Sequence, residues 1–138
     1  MRRGTTLLEL ALVLAIAGTL MTFFVIPAAR ALDRIQSRAA VSALAAACAF
    51  ARQAAVTRGA RTVVSLDTAG ARVAVTVGAD TLRVDDLGAR YGVSLATSNA
   101  TLTYAPTGLA TGLSNLRAIV RRGRAADTVT VSRLGRVR

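Results

Sequence analysis

The sequence contains no histidine, no tryptophan and no lysine, so all 18 of its basic residues are arginine. Each absence removes chemistry. Without histidine, the usual general base, the usual proton shuttle and the commonest metal ligand are gone. Without lysine there is no lysine-bearing phosphate loop and no Schiff base. A single cysteine, Cys48, excludes an intramolecular disulfide and every cysteine-pair metal motif. Phe23, Phe24, Phe50, Tyr91 and Tyr104 are the only aromatics, too few for a platform that stacks successive bases. The 138 residues suit one modest domain with its own core. No enzyme, metal or cofactor is expected.

What the chain does have is positive charge, +11 in total, concentrated at its two ends. Residues 1–61 set eight arginines against Glu9 and Asp33, and residues 117–138 set seven against Asp127. Between them, Arg72, Arg83 and Arg90 face Asp67, Asp80, Asp85 and Asp86, which is close to neutral. A basic balance of this size points to nucleic acid or an anionic membrane surface.

Residues 10–29 carry no charge and are mostly apolar. About twenty helical residues span the roughly 30 Å hydrocarbon core of a bilayer. Arg2 and Arg3 precede the run, which keeps the N-terminus cytoplasmic and sends the remainder outward. A cleaved secretory signal competes, supported by the short basic start, the apolar run and Ala29-Arg30-Ala31. Glu9 weighs against it. It is the chain's sole glutamate, and an acid within a membrane helix costs about 2.5–3.5 kcal/mol even on lenient insertion scales. A disposable signal gains nothing from that cost. A headgroup contact at the membrane boundary, or a cation on a neighbouring subunit, would offset it.

The stretch Arg2-Arg3-Gly4-Thr5-Thr6-Leu7-Leu8-Glu9-Leu10, followed by an apolar helix, resembles the class III signal of type IV pilins and secretion pseudopilins. The resemblance implies that a prepilin peptidase cuts after Gly4 and methylates the new amine on Thr5, where the family usually carries Phe or Met. It also implies that Glu9 faces the N-terminal amine of an adjacent subunit in a filament. An α-amine with a pKa near 8 is mostly protonated, and pairing two charges inside an apolar bundle offsets part of their desolvation. Two further stretches resemble the branch labelled GspH/FimT: Thr103-Tyr104-Ala105-Pro106-Thr107-Gly108, like its hydrophobic-x-Pro-x-Gly turn, and Thr128 to Arg138, like its closing strand and Gly-Arg-x-Arg ending.

Beyond the apolar run the helix is expected to continue to about residue 57, on the order of 80 Å in all, with a kink at Pro27. Arg30, Asp33, Arg34, Ser37 and Arg38 read as a polar stripe. Val41, Leu44, Cys48, Ala51 and Ala55 read as an apolar packing stripe, with Cys48 a small buried hydrophobe on it. Arg58-Gly59 supplies the helix end. After residue 61 the period changes to two. Strands are expected at 62–67, 71–77, 81–84, 93–96, 101–104, 116–121 and 128–132. The 93–96 and 101–104 strands read as a pair around Ser98-Asn99, and the last two as a hairpin turning over 123–127.

The expected fold is therefore α+β and pilin-like, a long N-terminal helix packed on a small, mostly antiparallel sheet. The expected divisions are 1–4 leader, 5–29 transmembrane and assembly helix, 30–58 its periplasmic amphipathic half, and 59–138 the β-rich part. The expected function is structural: a minor pilin or pseudopilin held in the inner membrane, then built into a type IV pilus or secretion pseudopilus. The partners this implies are prepilin peptidase, other pilins through the N-terminal helix, and membrane lipid.

One alternative is a DNA-contacting minor pilin. Arg117, Arg121, Arg122, Arg124, Arg133, Arg136 and Arg138 fall within 22 residues, and double-stranded DNA is their candidate partner through backbone phosphates. Solvated surface arginines are the plainer explanation. A remote alternative is a membrane-anchored hydrolase built on Asp80, Asp85 and Asp86, which otherwise read as loop acids near Arg83.

Overall fold

The computed structural model describes residues 6–111 and 116–132, with the side chains of Phe24 and Ile26 outside the description. Gly4, Thr5, Arg133, Arg136 and Arg138 lie outside the described residues. The chain divides into two compact units, Met1–Leu32 and Asp33–Arg138.

Helix α1 runs Leu7–Arg58 and includes Pro27. In the first unit every described side chain is exposed to its surroundings, with Leu7 at 89% and Phe23 at 73%. A helix this long and apolar is able to cross a membrane. Apolar exposure on this scale marks a surface made for lipid or for other helices.

In the second unit the remainder of α1 buries Ser37, Ala40, Leu44, Ala47, Cys48, Ala51, Ala54 and Ala55. Most are small, so sheet side chains approach the helix backbone closely. Val41, expected on this stripe, lies only partly buried at its margin. Ser37 corrects the expectation in the other direction. It falls on the buried face because it hydrogen-bonds Asp127 rather than water. The helix ends where the sequence predicts, with Gly59 at φ +58°, the left-handed conformation that glycine adopts freely.

Eight strands follow among the described residues. β1 (Thr62–Asp67), β2 (Arg72–Val77) and β3 (Asp80–Asp86) form an antiparallel meander. A short helix α2 (Leu87–Tyr91) leads to β4 (Ser94–Thr97), β5 (Thr101–Tyr104), β6 (Ala110–Thr111), β7 (Leu116–Arg122) and β8 (Ala125–Val131). One sheet has the order β3-β2-β1-β5-β6 and the other β4-β7-β8. Alternate residues point inward from both: Val64, Val73, Val75, Leu102 and Tyr104 from the first, and Leu95, Ala118, Val120, Val129 and Val131 from the second. With the helix face they make one continuous core.

The expected pairing of 93–96 with 101–104 does not occur. β4 pairs with β7, and β5 with β1. The chain changes sheets over three residues: the Ser98 amide still donates to Arg117, while the Ala100 carbonyl already accepts from Leu66. The strand expected at 81–84 is the middle of the outer strand β3, which also takes in the loop acids Asp80, Asp85 and Asp86, and Asp86 sits opposite Arg72 across the ladder. α2 and β6 are the elements the sequence reading lacks.

The β7–β8 turn is also tighter than expected. Arg122 pairs with Ala125, so Gly123 and Arg124 alone make the turn. Gly123 has φ +53°. A glycine at the first central position suits a two-residue hairpin turn that follows the strands' right-handed twist.

Candidate assembly helix and basic surface

Glu9 lies in the first turn of α1, and its amide donates to the Thr6 carbonyl at 3.0 Å and to Thr6 Oγ1 at 3.3 Å. Its carboxylate is exposed and makes no ion pair among the described residues. A negative charge in the first turn is favoured by the helix dipole. The apolar residues around it, Leu7, Leu8, Leu10 and Leu12, are each more than half exposed. Taking an acid out of water within an apolar helical surface costs desolvation unless a cation offsets it.

The four described arginines of the basic segment divide into two kinds. Arg117 and Arg121 project from the outer face of the β4-β7-β8 sheet, and Arg124 occupies the turn; all three are exposed. Their neighbours on the outer face include Ser94, Ala96, Ala126, Thr128 and Thr130, none of them acidic. Arg122 points inward. Its Nε donates to Asp33 Oδ1 at 3.1 Å and its Nη1 to the Tyr91 carbonyl. The structure thus separates Arg122, a joint between elements, from three arginines that face solvent.

The turn resembling the hydrophobic-x-Pro-x-Gly motif closes the β5–β6 hairpin. The Ala105 amide donates to Leu109, and Gly108 to Ala105. Gly108 has φ +79°, and a Cβ there would stand 3.1 Å from Val56 Cγ2 and 3.3 Å from Arg52 Nε. The motif needs glycine because the turn lies against α1. Tyr104, just before it, is fully buried, and burial pushes its phenol well above the usual range.

Asp85 and Asp86 line a cleft of about 460 Å³ with Ala43, Arg83, Arg90 and Tyr91. Both carboxylates are engaged: Asp85 accepts from Arg83 Nε at 2.7 Å, and Asp86 from the Ala89 amide and Arg72 Nε, each at 2.8 Å. The Ala89 amide, then Arg72, holds the Asp86 carboxyl below the usual range. Asp80 stands at the β2–β3 turn, opposite Val77. Among the described residues, no group of three or more metal-binding side chains gathers.

A family model described as type II transport protein GspH matches residues 40–135, more than half of the chain. The chain belongs to the GspH family. No curated protein matches it in sequence. Among solved structures, it is similar to the type IV minor pilin FimU of Pseudomonas aeruginosa, with a TM-score of 0.66 at 18% identity, covering 77% of this chain and 89% of that one. It is also similar to the minor pseudopilin EpsH from the type II secretion system of Vibrio cholerae, with a TM-score of 0.60 at 14% identity, covering 76% and 93%. At these identities the likeness speaks for the fold. GspH-family membership and the pilin-like fold account together for a long helix carrying apolar surface and a sheet-covered second half. The family is one of pilin and pseudopilin components rather than a known enzyme class.

Proposed function

We propose that this GspH-family chain is a minor subunit of a type IV pilus or a type II secretion pseudopilus and has no enzymatic role. In this reading it waits in the inner membrane, with its N-terminus cytoplasmic and Asp33–Arg138 periplasmic. Prepilin peptidase cuts it after Gly4 and methylates Thr5. The mature chain then joins the filament through the apolar surface of α1, where Glu9 pairs with the N-terminal amine of an adjacent subunit. The carrying observation is the contrast along α1. Residues 6–32 expose every described side chain, whereas from Ser37 onward one face of the same helix is fully buried under sheet. The second unit has its core; the first supplies a surface for others. The likeness to FimU, a type IV minor pilin, and to EpsH, a minor pseudopilin of a type II secretion system, supports the reading.

The test is Glu9→Val. The variant should insert in the membrane and fail to enter filaments, because it removes the charge partner and leaves the helix apolar. Wild-type levels of incorporation would remove Glu9 from assembly.

A second reading is favoured by the outer face of the three-stranded sheet, where Arg117 and Arg121 stand without an acid. Such a face suits the phosphates of duplex DNA, with Arg133, Arg136 and Arg138 following it in the sequence, and each lost contact weakens binding and flattens its salt dependence. Arg117→Gln/Arg121→Gln should reduce a duplex gel shift. An undiminished shift would exclude the sheet face.

A further inference from the structure

The β7–β8 turn is fastened to one turn of α1. Arg122 donates to Asp33, Ser37 donates to Asp127, and Gly123 lies against the Asp33 carboxylate. These contacts occupy both acids of the corner. Arg124, the second residue of the turn, stays exposed, and its side chain forms no ion pair among the described residues. Arg34 and Arg38 follow Asp33 and Ser37 by one position each. They are likewise exposed and unpaired. Being four apart, they share a side of the helix. Arg34 and Arg38 thus adjoin the fastened turn of α1 in the chain and Arg124 sits in the fastened hairpin turn, and among the described residues only Arg122 of these four is paired internally.

Asp33 is the first residue of the second unit, and the uncharged run 10–29 ends four residues before it in the chain. We propose that Arg34, Arg38 and Arg124 form a docking site for anionic phospholipid headgroups at the surface of the membrane that the apolar run enters. The proposal rests on the membrane-anchored reading above. The planar guanidinium fork matches phosphate oxygens two at a time. Each basic residue held at an anionic surface strengthens binding about fivefold. Because the turn is already pinned to α1, little ordering is lost when it meets the headgroups. A duplex needs phosphate contacts spread along the outer sheet face. Three exposed arginines on two turns fastened together, one of which leads in the chain to the apolar run, suit a lipid surface instead.

The test uses the full-length chain in lipid nanodiscs, either zwitterionic or containing phosphatidylglycerol. Co-elution with the discs reads anchoring, and amide hydrogen exchange of residues 121–126 reads docking. Anionic discs should slow that exchange about fivefold or more, and about 0.5 M salt should reverse the effect. Arg34→Gln/Arg124→Gln should abolish the protection, while Arg117→Gln/Arg121→Gln should retain it. Equal exchange in both discs by a co-eluting protein would overturn the docking site and leave the anchored reading standing. Failure to co-elute with either disc would remove both. Protection in zwitterionic discs by inorganic phosphate or duplex DNA, matching that of the anionic lipid, would overturn the lipid assignment.

Discussion

Arg122 donates from Nε to Asp33 Oδ1 at 3.1 Å and from Nη1 to the Tyr91 carbonyl, so one side chain joins α1, α2 and β7. Both members of the ion pair are about three-quarters covered, at 26% and 30% exposure. Arg122→Ala leaves a largely covered carboxylate and a carbonyl without their donor, and should cost about 1–3 kcal/mol by equilibrium denaturation. Arg122→Lys should recover little, since a point charge cannot serve both acceptors through a fixed fork. Full recovery by lysine would show that charge alone matters there.

The neighbouring turn offers a paired comparison. Gly123 and Gly78 both begin two-residue hairpin turns with positive φ, at +53° and +59°. A Cβ on Gly78 meets nothing within 4 Å, whereas one on Gly123 runs into the Asp33 side chain. Gly78→Ala should therefore cost only the backbone strain, about 1 kcal/mol. Gly123→Ala should cost more, about 2–3 kcal/mol, because Asp33 must also move. Equal losses would mean that Asp33 yields freely.

Cys48 is fully buried among alanines and strand side chains, and burial pushes its thiol from an ordinary value near 9.0 up to about 11. In the unfolded chain the thiol ionises first as pH rises, so the unfolded state then binds fewer protons and stability falls. The loss should begin near pH 9 and reach about 2–3 kcal/mol by pH 11. Tyr104 adds to it at higher pH, because its phenol is also raised. Cys48→Ala should flatten the curve between pH 9 and 11. An unchanged slope would assign it wholly to other groups. At neutral pH, thiol reagents should react with Cys48 only when the second unit opens.

Asp86 works in the opposite direction. Its carboxylate caps α2 through the Ala89 amide and pairs with Arg72, and both hold its pKa below the usual range. The folded value lies under the unfolded one, near 3.9, so the contribution is complete above about pH 4. It is lost as pH falls through the folded value. Asp86→Ala should fray α2 and speed exchange of the Ala89 amide severalfold at neutral pH. Below the folded pKa, variant and parent should exchange alike.

Much of this molecule is legible in its sequence because the informative patterns are local. The three-four spacing of Leu44, Cys48, Ala51 and Ala55 marks the buried helix face, and Gly59 marks its end. Alternation over 62–67 and 101–104 marks β1 and β5 with their observed bounds. What failed was non-local. Nothing near Ser98 records that β4 belongs with β7, its partners 21 to 27 residues downstream in one sheet, while β5 returns to β1 in the other. Ser37 and Asp33 look like a solvated stripe until Asp127 and Arg122 arrive from the far end of the chain. Among the arginines, the expected strand 116–121 leaves Arg122 at the turn, whereas β7 runs on to Arg122 and sets it on the face opposite 117 and 121. Only the partner on α1 shows that the inward one is a structural joint. The five residues of α2 are too few for periodicity, although Asp86 followed by Leu87 and closed by Gly92 carries both cap signals.

The proposed prepilin processing removes the first four residues, and intact-mass measurement reads that loss. The full-length protein is co-expressed with a prepilin peptidase and recovered from the membrane fraction. The account predicts loss of residues 1–4 and a new N-terminal Thr5 carrying one added methyl group, with Gly4→Ala leaving the precursor uncut. A chain that keeps its first four residues beside an active peptidase, or is instead cut after Ala31, would contradict it.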